Sequence, residues 1–193
     1  MLEKLIQSGE EIYEQQFSSL QLSKTAGKLL ASHAVFERIS FGESNLQLDC
    51  TDVTFKNCDF SFCKLNDSSL SRIRFENCSF TGADFYESYL RDCSFNGCRL
   101  DMINLNTSKL VSCKFTDCRL TGSYLENCKF TRCGFENCDL QNAYCFGSSL
   151  KGIDLTGCNL SGLQLRQEDL KGAVLTLDQA MEFLRFLEVK IKA

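Results

Sequence analysis

The segment Phe75-Glu-Asn-Cys-Ser-Phe80-Thr-Gly-Ala-Asp-Phe85-Tyr-Glu-Ser-Tyr-Leu90 places a large apolar residue at every fifth position. Followed outward, this series runs from Phe55 to Leu175 and is Leu or Phe throughout except at Cys145. Neither common period explains it, because a helix wants apolar residues three and four apart and a strand wants them two apart. Two residues before each of these positions the side chain is usually compact: Cys58, Cys63, Cys78, Cys93, Cys98, Cys113, Cys118, Cys128, Cys133, Cys138 and Cys158, with Ser68, Ser88, Ser108 and Ala83 among the others. The other three slots are mostly polar. Each five-residue unit therefore turns one bulky and one compact side chain inward and three side chains outward.

A longer period lies over the first. Cys58, Cys78, Cys98, Cys118, Cys138 and Cys158 recur at intervals of twenty, as do Phe55, Phe75, Phe95, Phe115 and Phe135. Like residues recur at this interval if four units close one turn and each turn stacks on the next, rising by about 4.8 Å, one strand spacing. The period predicts an all-β, four-sided solenoid whose ladder runs between coils that cannot bury a face alone.

The flanks change pattern. Phe36, Phe41 and Leu46 are five apart but in another frame, and one residue is missing before Phe55 if Cys50 fills the intervening central slot. Ile12, Phe17 and Leu22 suggest an earlier partial coil, with Thr25–His33 as an excursion before the register settles. The expected division is an N-terminal cap and irregular first coil at 1–35, the solenoid at 36–175, and a C-terminal dimerisation helix with a short strand at 176–193. Thr176 and Gln179 fit a capping box opening a helix of roughly three turns. Val189 and Ile191, alternating with Lys190 and Lys192, read as a short edge strand.

The chain has 193 residues, 44 % apolar and 24 % charged, a globular composition. Its 21 bases against 25 acids exclude a strongly basic nucleic-acid binder. No apolar run approaches a signal-peptide core or a membrane span, so a cytoplasmic location is expected. The 13 cysteines then read as thiols rather than a disulfide framework, and their spacings of five and twenty match the structural repeat, not a zinc site. Catalysis finds no foothold: His33 is the single histidine, no nucleophile elbow or phosphate loop is present, and Asp84 and Glu87 read as a solvated surface pair. No enzyme activity, metal or cofactor is expected.

Sorted by side, the outward residues segregate. The side centred on Leu70, Leu90, Leu110, Phe130, Leu150 and Leu170 carries Arg72, Arg91, Lys109, Lys129, Arg132, Lys151 and Lys171, with Asp92 and Asp169 outward and Glu168 in the inward slot. The adjacent side, centred on Leu65, Phe85, Leu105 and Leu125, carries Asp67, Asp84, Glu87 and Glu126 against Lys64 and Arg166. Tyr86, Tyr124, Tyr144 and Phe146 occupy outward slots of this second side. A basic stripe thus runs beside an acidic, tyrosine-bearing one.

The repeat resembles the pentapeptide-repeat family, whose motif Ala-(Asp/Asn)-Leu-x-x is carried by Gly-Ala-Asp-Phe-Tyr (82–86) and Gly-Cys-Asn-Leu-Ser (157–161). The family implies a right-handed quadrilateral β-helix. Asp-Leu-Lys-Gly-Ala-Val-Leu-Thr-Leu-Asp-Gln-Ala (169–180), Tyr-Glu-Gln-Gln-Phe (13–17) and the stretch 49–60 look like the quinolone-resistance (Qnr-type) branch from Gram-positive bacteria. That branch implies a homodimer paired end to end through the C-terminal helix, here Leu177, Ala180, Met181, Leu184 and Leu187. It also implies a rod resembling duplex DNA that binds DNA gyrase and topoisomerase IV, with Asp67, Asp84, Glu87 and Glu126 as the topoisomerase-facing charge. Residues 53–175 leave no room for the inter-coil loops of many Qnr-type proteins. The alternative is a protein-interaction scaffold without a topoisomerase partner, using the basic stripe for an acidic partner.

Overall fold

The computed structural model describes residues 1–187. Helix α1 (Leu2–Ser8) precedes fourteen strands: β1 (Ile12–Tyr13), β2 (Gln16–Gln21), β3 (Ala26–Ser32), β4 (Val35–Ser40), β5 (Asn45–Thr51), β6 (Thr54–Lys56), β7 (Ser69–Ser71), β8 (Arg74–Glu76), β9 (Tyr89–Arg91), β10 (Ser94–Asn96), β11 (Lys109–Val111), β12 (Lys114–Thr116), β13 (Lys129–Thr131) and β14 (Gly134–Glu136). Helix α2 (Leu177–Glu182) and a 3-10 turn, Phe183–Leu187, follow. The odd-numbered strands form one seven-stranded sheet and the even-numbered strands another, all neighbours parallel. Two further sides are closed by single bridges repeated coil after coil, such as Asp59 to Ser79 and Lys64 to Asp84. The chain is thus a parallel quadrilateral solenoid. Its first side is centred on Phe55 and its successors, the second on Phe60, the third on Leu65 and the fourth on Leu70.

The inward slots make the core. Phe17, Phe36, Phe55, Phe75, Phe95, Phe115 and Phe135 stack along the first side, with successive ring centroids 4.7 to 5.5 Å apart. Phe41, Phe60 and Phe80 form a second stack at the next side. The cysteines line the corners as compact hydrophobes that also donate weakly: the thiols of Cys78, Cys98 and Cys118 reach the carbonyls of Phe55, Phe75 and Phe95, one coil back. Serines play the same part between the third and fourth sides. The Ser88 and Ser108 hydroxyls accept from the backbone N–H groups of Ser68 and Ser88, so a ladder bond that the corner would break is replaced. Outward corner residues such as Asn57, Asn77 and Asn137 take φ between 52° and 53°, the left-handed region that Asn tolerates better than most residues.

The coils shorten at the N-terminal end. Phe36 pairs with Phe55 at an interval of nineteen, whereas Cys50 pairs with Leu70 at an interval of twenty. Cys50 therefore does occupy the central slot, and the extra residue enters opposite β5, where the Leu48 N–H is met by the Ser68 hydroxyl. Thr25–His33 is not an excursion. Ala26–Ser32 is β3, paired with β5 over its whole length, and it escapes the period of five because a single uninterrupted strand replaces the usual corner. Helix α1 covers the open end with Leu2 and Ile6, both buried.

At the other end the capping box forms as the spacing predicts: Thr176 accepts from the Gln179 N–H, and the Gln179 side chain accepts from the Thr176 N–H. The α-helix is shorter than three turns. It ends at Glu182 and tightens into the 3-10 turn, which points Phe183 into the core while the Gln179 amide anchors to the carbonyls of Leu155 and Cys158. The expected strand at Val189 and Ile191 lies outside the described residues. Among the described residues no helix is long and apolar enough to cross a membrane.

Candidate interaction surfaces

The third side presents the expected acids, in three columns rather than one. Asp67 and Glu87 lie one above the other at the corner facing the fourth side, linked by the Asp67 N–H donating to the Tyr86 carbonyl. Asp84 stands beside them, half-buried, its carboxylate accepting from the Tyr86 N–H and the Asn104 amide. The structure therefore gathers Asp67, Asp84 and Glu87 within two successive coils, and Glu126 lies two coils further on. The aromatic row is also present. Tyr124 and Tyr144 stack with centroids 5.2 Å apart and planes 6° apart, while Tyr86 is exposed and Phe146 half-buried in a separate column of the same side. Phe62 and Met102, exposed at the leading corner of this side, extend its apolar component.

The fourth side carries the bases, but not as seven equivalent charges. Arg72 is spent on Asp52, its guanidinium making two 2.7 Å bonds to the carboxylate. That contact holds the Asp52 carboxyl below its ordinary range. Arg91 donates to the Tyr89 hydroxyl at 2.7 Å, and the Lys109 ammonium lies 5.5 Å from the centre of the same ring. Lys109 and Lys129 face each other in register on β11 and β13. Among the described residues, Arg91, Lys109, Lys129, Arg132, Lys151 and Lys171 form no ion pair.

Two placements differ from expectation. Glu168 is exposed and Asp169 is buried, the reverse of the periodic reading. The ladder keeps its interval here, the Leu150 N–H donating to the Asp169 carbonyl as the Leu100 N–H does to that of Arg119, and it is the Asp169 carboxylate that turns inward to accept from the N–H groups of Gly147 and Arg166. Asp169 thus caps the corner that serines cap in earlier coils, and the fourth side loses that outward acid.

The proposed seam residues separate by exposure. Leu177 is 78 % exposed and Met181 51 % exposed, Ala180 is exposed, and Leu184 is half-buried. Leu187 lies in the 3-10 turn. The sequence reading missed an ion pair on the second side, where Arg119 holds the buried Asp101 with bonds of 2.8 and 2.9 Å from its Nε.

The thiols sit where packing needs them. All are free, and all but Cys133 are buried. Burial pushes the Cys63 thiol up to about 11 and the Cys50 and Cys128 thiols up to about 12, so none of the three is a nucleophile near neutrality. His33 is exposed, 4.0 Å from Asp52 and edge-on to Tyr13. Among the described residues no three His, Cys, Asp or Glu side chains converge as a metal site would require.

Comparison with known proteins agrees with this architecture. Models of the pentapeptide repeat match residues 68–131, as a pentapeptide repeat region, and residues 138–176, as pentapeptide repeats in eight copies. Both describe a repeat and no reaction. No curated protein is matched. Among solved structures, HetL, a pentapeptide repeat protein involved in heterocyst differentiation regulation from the cyanobacterium Nostoc sp. strain PCC 7120, superposes with a TM-score of 0.60. The identity is 18 %, over 88 % of this chain and 86 % of that one, so the likeness concerns the fold. Full-length QnrB1, a plasmid-mediated fluoroquinolone resistance protein, aligns at 17 % identity over 93 % of this chain and all of its own, with a TM-score of 0.42. With its five-residue units closing four-sided coils, this chain belongs to the pentapeptide-repeat proteins.

Proposed function

We propose that the chain is a non-catalytic binding rod that engages a type II topoisomerase, DNA gyrase or topoisomerase IV, through its third side, and that two copies join through the C-terminal helix. The observation that carries this reading is the grouping of Asp67, Asp84 and Glu87 on one flat, rigid side, with Glu126 continuing the charge. Negative groups held at multiples of about 4.8 Å along a stiff axis offer a DNA-binding groove the kind of charge it is built to meet. The stacked Tyr124 and Tyr144 add apolar contact area on the same side. The exposed Leu177, Ala180 and Met181 would form the seam, with Leu184 and Leu187 completing it, and pairing there would double the length of the charged row.

Gyrase supercoiling with purified enzyme, with and without a fluoroquinolone, tests the reading. Inhibition or drug protection at low micromolar protein, weakened in an Asp67→Asn, Asp84→Asn, Glu87→Gln variant, is expected. Full gyrase activity and undiminished drug poisoning at every protein concentration would end it.

A second reading rests on Lys109 and Lys129, which adjoin in register and, among the described residues, have no acid paired to either. On that reading the fourth side meets an acidic partner and no topoisomerase is involved. Binding of an acidic probe such as a DNA fragment that weakens steeply with salt, together with indifference of gyrase, would favour it.

A further inference from the structure

The solenoid is unzipped along two of its four sides at one level. Up to β13 and β14, each coil on the fourth and first sides repeats the same backbone bonds. The Lys129 N–H reaches the Ser108 carbonyl, Ser112 reaches Thr131, Gly134 reaches Cys113 and Asp117 reaches Glu136, at 2.8 to 3.0 Å. One coil later these bonds have no counterparts. Among the described residues no backbone hydrogen bond joins 129–137 to 149–157, and both sheets stop at this level. On the other two sides the same coils remain bonded, Leu140 to Asn159 at 2.9 Å and Cys145 to Gln164 at 2.7 Å.

The opening coincides with a change of volume inside. Phe130 follows Leu70, Leu90 and Leu110 in its column, Ile153 follows Cys133, and the phenylalanine stack ends where Phe135 meets Leu155. Across the gap the Cys158 thiol still reaches the Phe135 carbonyl, at 3.5 Å. The gap forms a cleft of about 550 Å³ whose walls include Lys114, Cys133, Gly134, Glu136, Gly152 and Asp154. Its walls are low, since a side chain built on Gly134 or Gly152 would meet nothing within 4 Å. Glu136 and Asp154 are exposed at its rim, and among the described residues neither forms an ion pair.

We propose that this cleft accepts an extended peptide segment of a partner protein, added as a strand along β14. An unpaired strand edge is a template for another chain, and main-chain bonds supply the affinity in such docking. β14 spans three residues, so about 10 Å of strand would be matched. A strand alternating apolar and basic residues fits best: the apolar side chains would cover Cys133 and Phe135, and the bases would meet Glu136 and Asp154. The site is independent of the third side.

The probe is a fluorescent peptide of three Val-Lys repeats, titrated by anisotropy against the full chain. Saturable binding is expected, falling by about tenfold or more for the same peptide N-methylated at alternate residues, which removes main-chain donors. Gly134→Phe fills the cleft and Glu136→Lys reverses its charge; each should weaken binding similarly while the circular dichroism stays unchanged. Bound peptide should also slow alkylation of Cys133. Equal binding of the N-methylated peptide, or no saturable binding to the wild type, overturns the proposal. So does a Gly134→Phe variant that binds normally. If that variant instead converts a dimer to a monomer by light scattering, a second copy fills the cleft and the proposal is likewise overturned.

Discussion

Phe95 stacks on Phe115 with ring centroids 4.7 Å apart and planes 8° apart, in the middle of a column that runs from Phe17 to Phe135. Each ring of this column is shared between two coils, so its removal opens a void on both faces at once. Phe95→Ala is expected to cost about 3–5 kcal/mol. Urea unfolding followed by far-ultraviolet circular dichroism measures it. A loss below about 1 kcal/mol would mean that the column is not what holds successive coils together.

The Ser123 hydroxyl is buried and, among the described residues, has no hydrogen-bond partner. Its column otherwise holds Cys63, Ala83, Ile103, Ala143 and Leu163, none of which carries a hydroxyl. Ser123→Ala removes an unsatisfied polar atom and leaves little empty space, so it should stabilise by about 1 kcal/mol. For a chain of this size that raises Tm by about 2–4 °C in calorimetry. A lower Tm would show that the hydroxyl has a partner after all.

Which features were legible follows from where the information lies. The inward Phe and Leu columns could be read because a fixed interval of five and a fixed side-chain class coincide from Phe55 onward. β3 could not, because Ala26–Ser32 runs as one straight strand and obeys no five-residue frame. The exchange of Glu168 for Asp169 depends on bonds to Gly147 and Arg166, which no periodicity encodes. The corners carried a signal that went unused, for Asn57, Asn77 and Asn137 recur at the slot where φ is positive. The open seam stayed hidden because Phe130 and Leu155 both satisfy the rule of large apolar residues.

Exposure ranks the thiols. Cys133, at the wall of the cleft, is half-buried, and the other cysteines are buried. A disulfide reagent at pH 8 should modify Cys133 first and reach the rest only in denaturant, as peptide mapping would record. Prompt modification of most thiols in the native protein would contradict the closed core.

The same burial makes stability depend on alkaline pH. Desolvation raises Cys50 and Cys128 to about 12 in the folded state, above the ordinary thiol value of 9.0 that the unfolded chain has. A folded pKa above the unfolded one contributes stability that is complete below pH 9 and is lost as pH climbs towards 12. Each such thiol should lower the unfolding free energy by about 1.4 kcal/mol per pH unit in that window. Urea midpoints at pH 8 and pH 10 should therefore separate, and less so in a Cys50→Ala, Cys128→Ala variant. Equal sensitivity in the variant would assign the loss to other groups.

The two ends of the tube are closed differently, and this bears on the proposed dimer. Helix α1 buries Leu2 and Ile6 against the first coil, whereas the C-terminal segment turns Phe183 inward and leaves Leu177 and Met181 facing out. Large apolar side chains at 78 % and 51 % exposure are unfavourable for a lone rod and suited to a symmetric seam. Leu177→Asp combined with Met181→Asp should yield monomers by light scattering without lowering Tm appreciably, because neither side chain contributes to the core. A dimer that survives both substitutions would place any seam elsewhere, and a wild type that is monomeric at high concentration would remove it altogether.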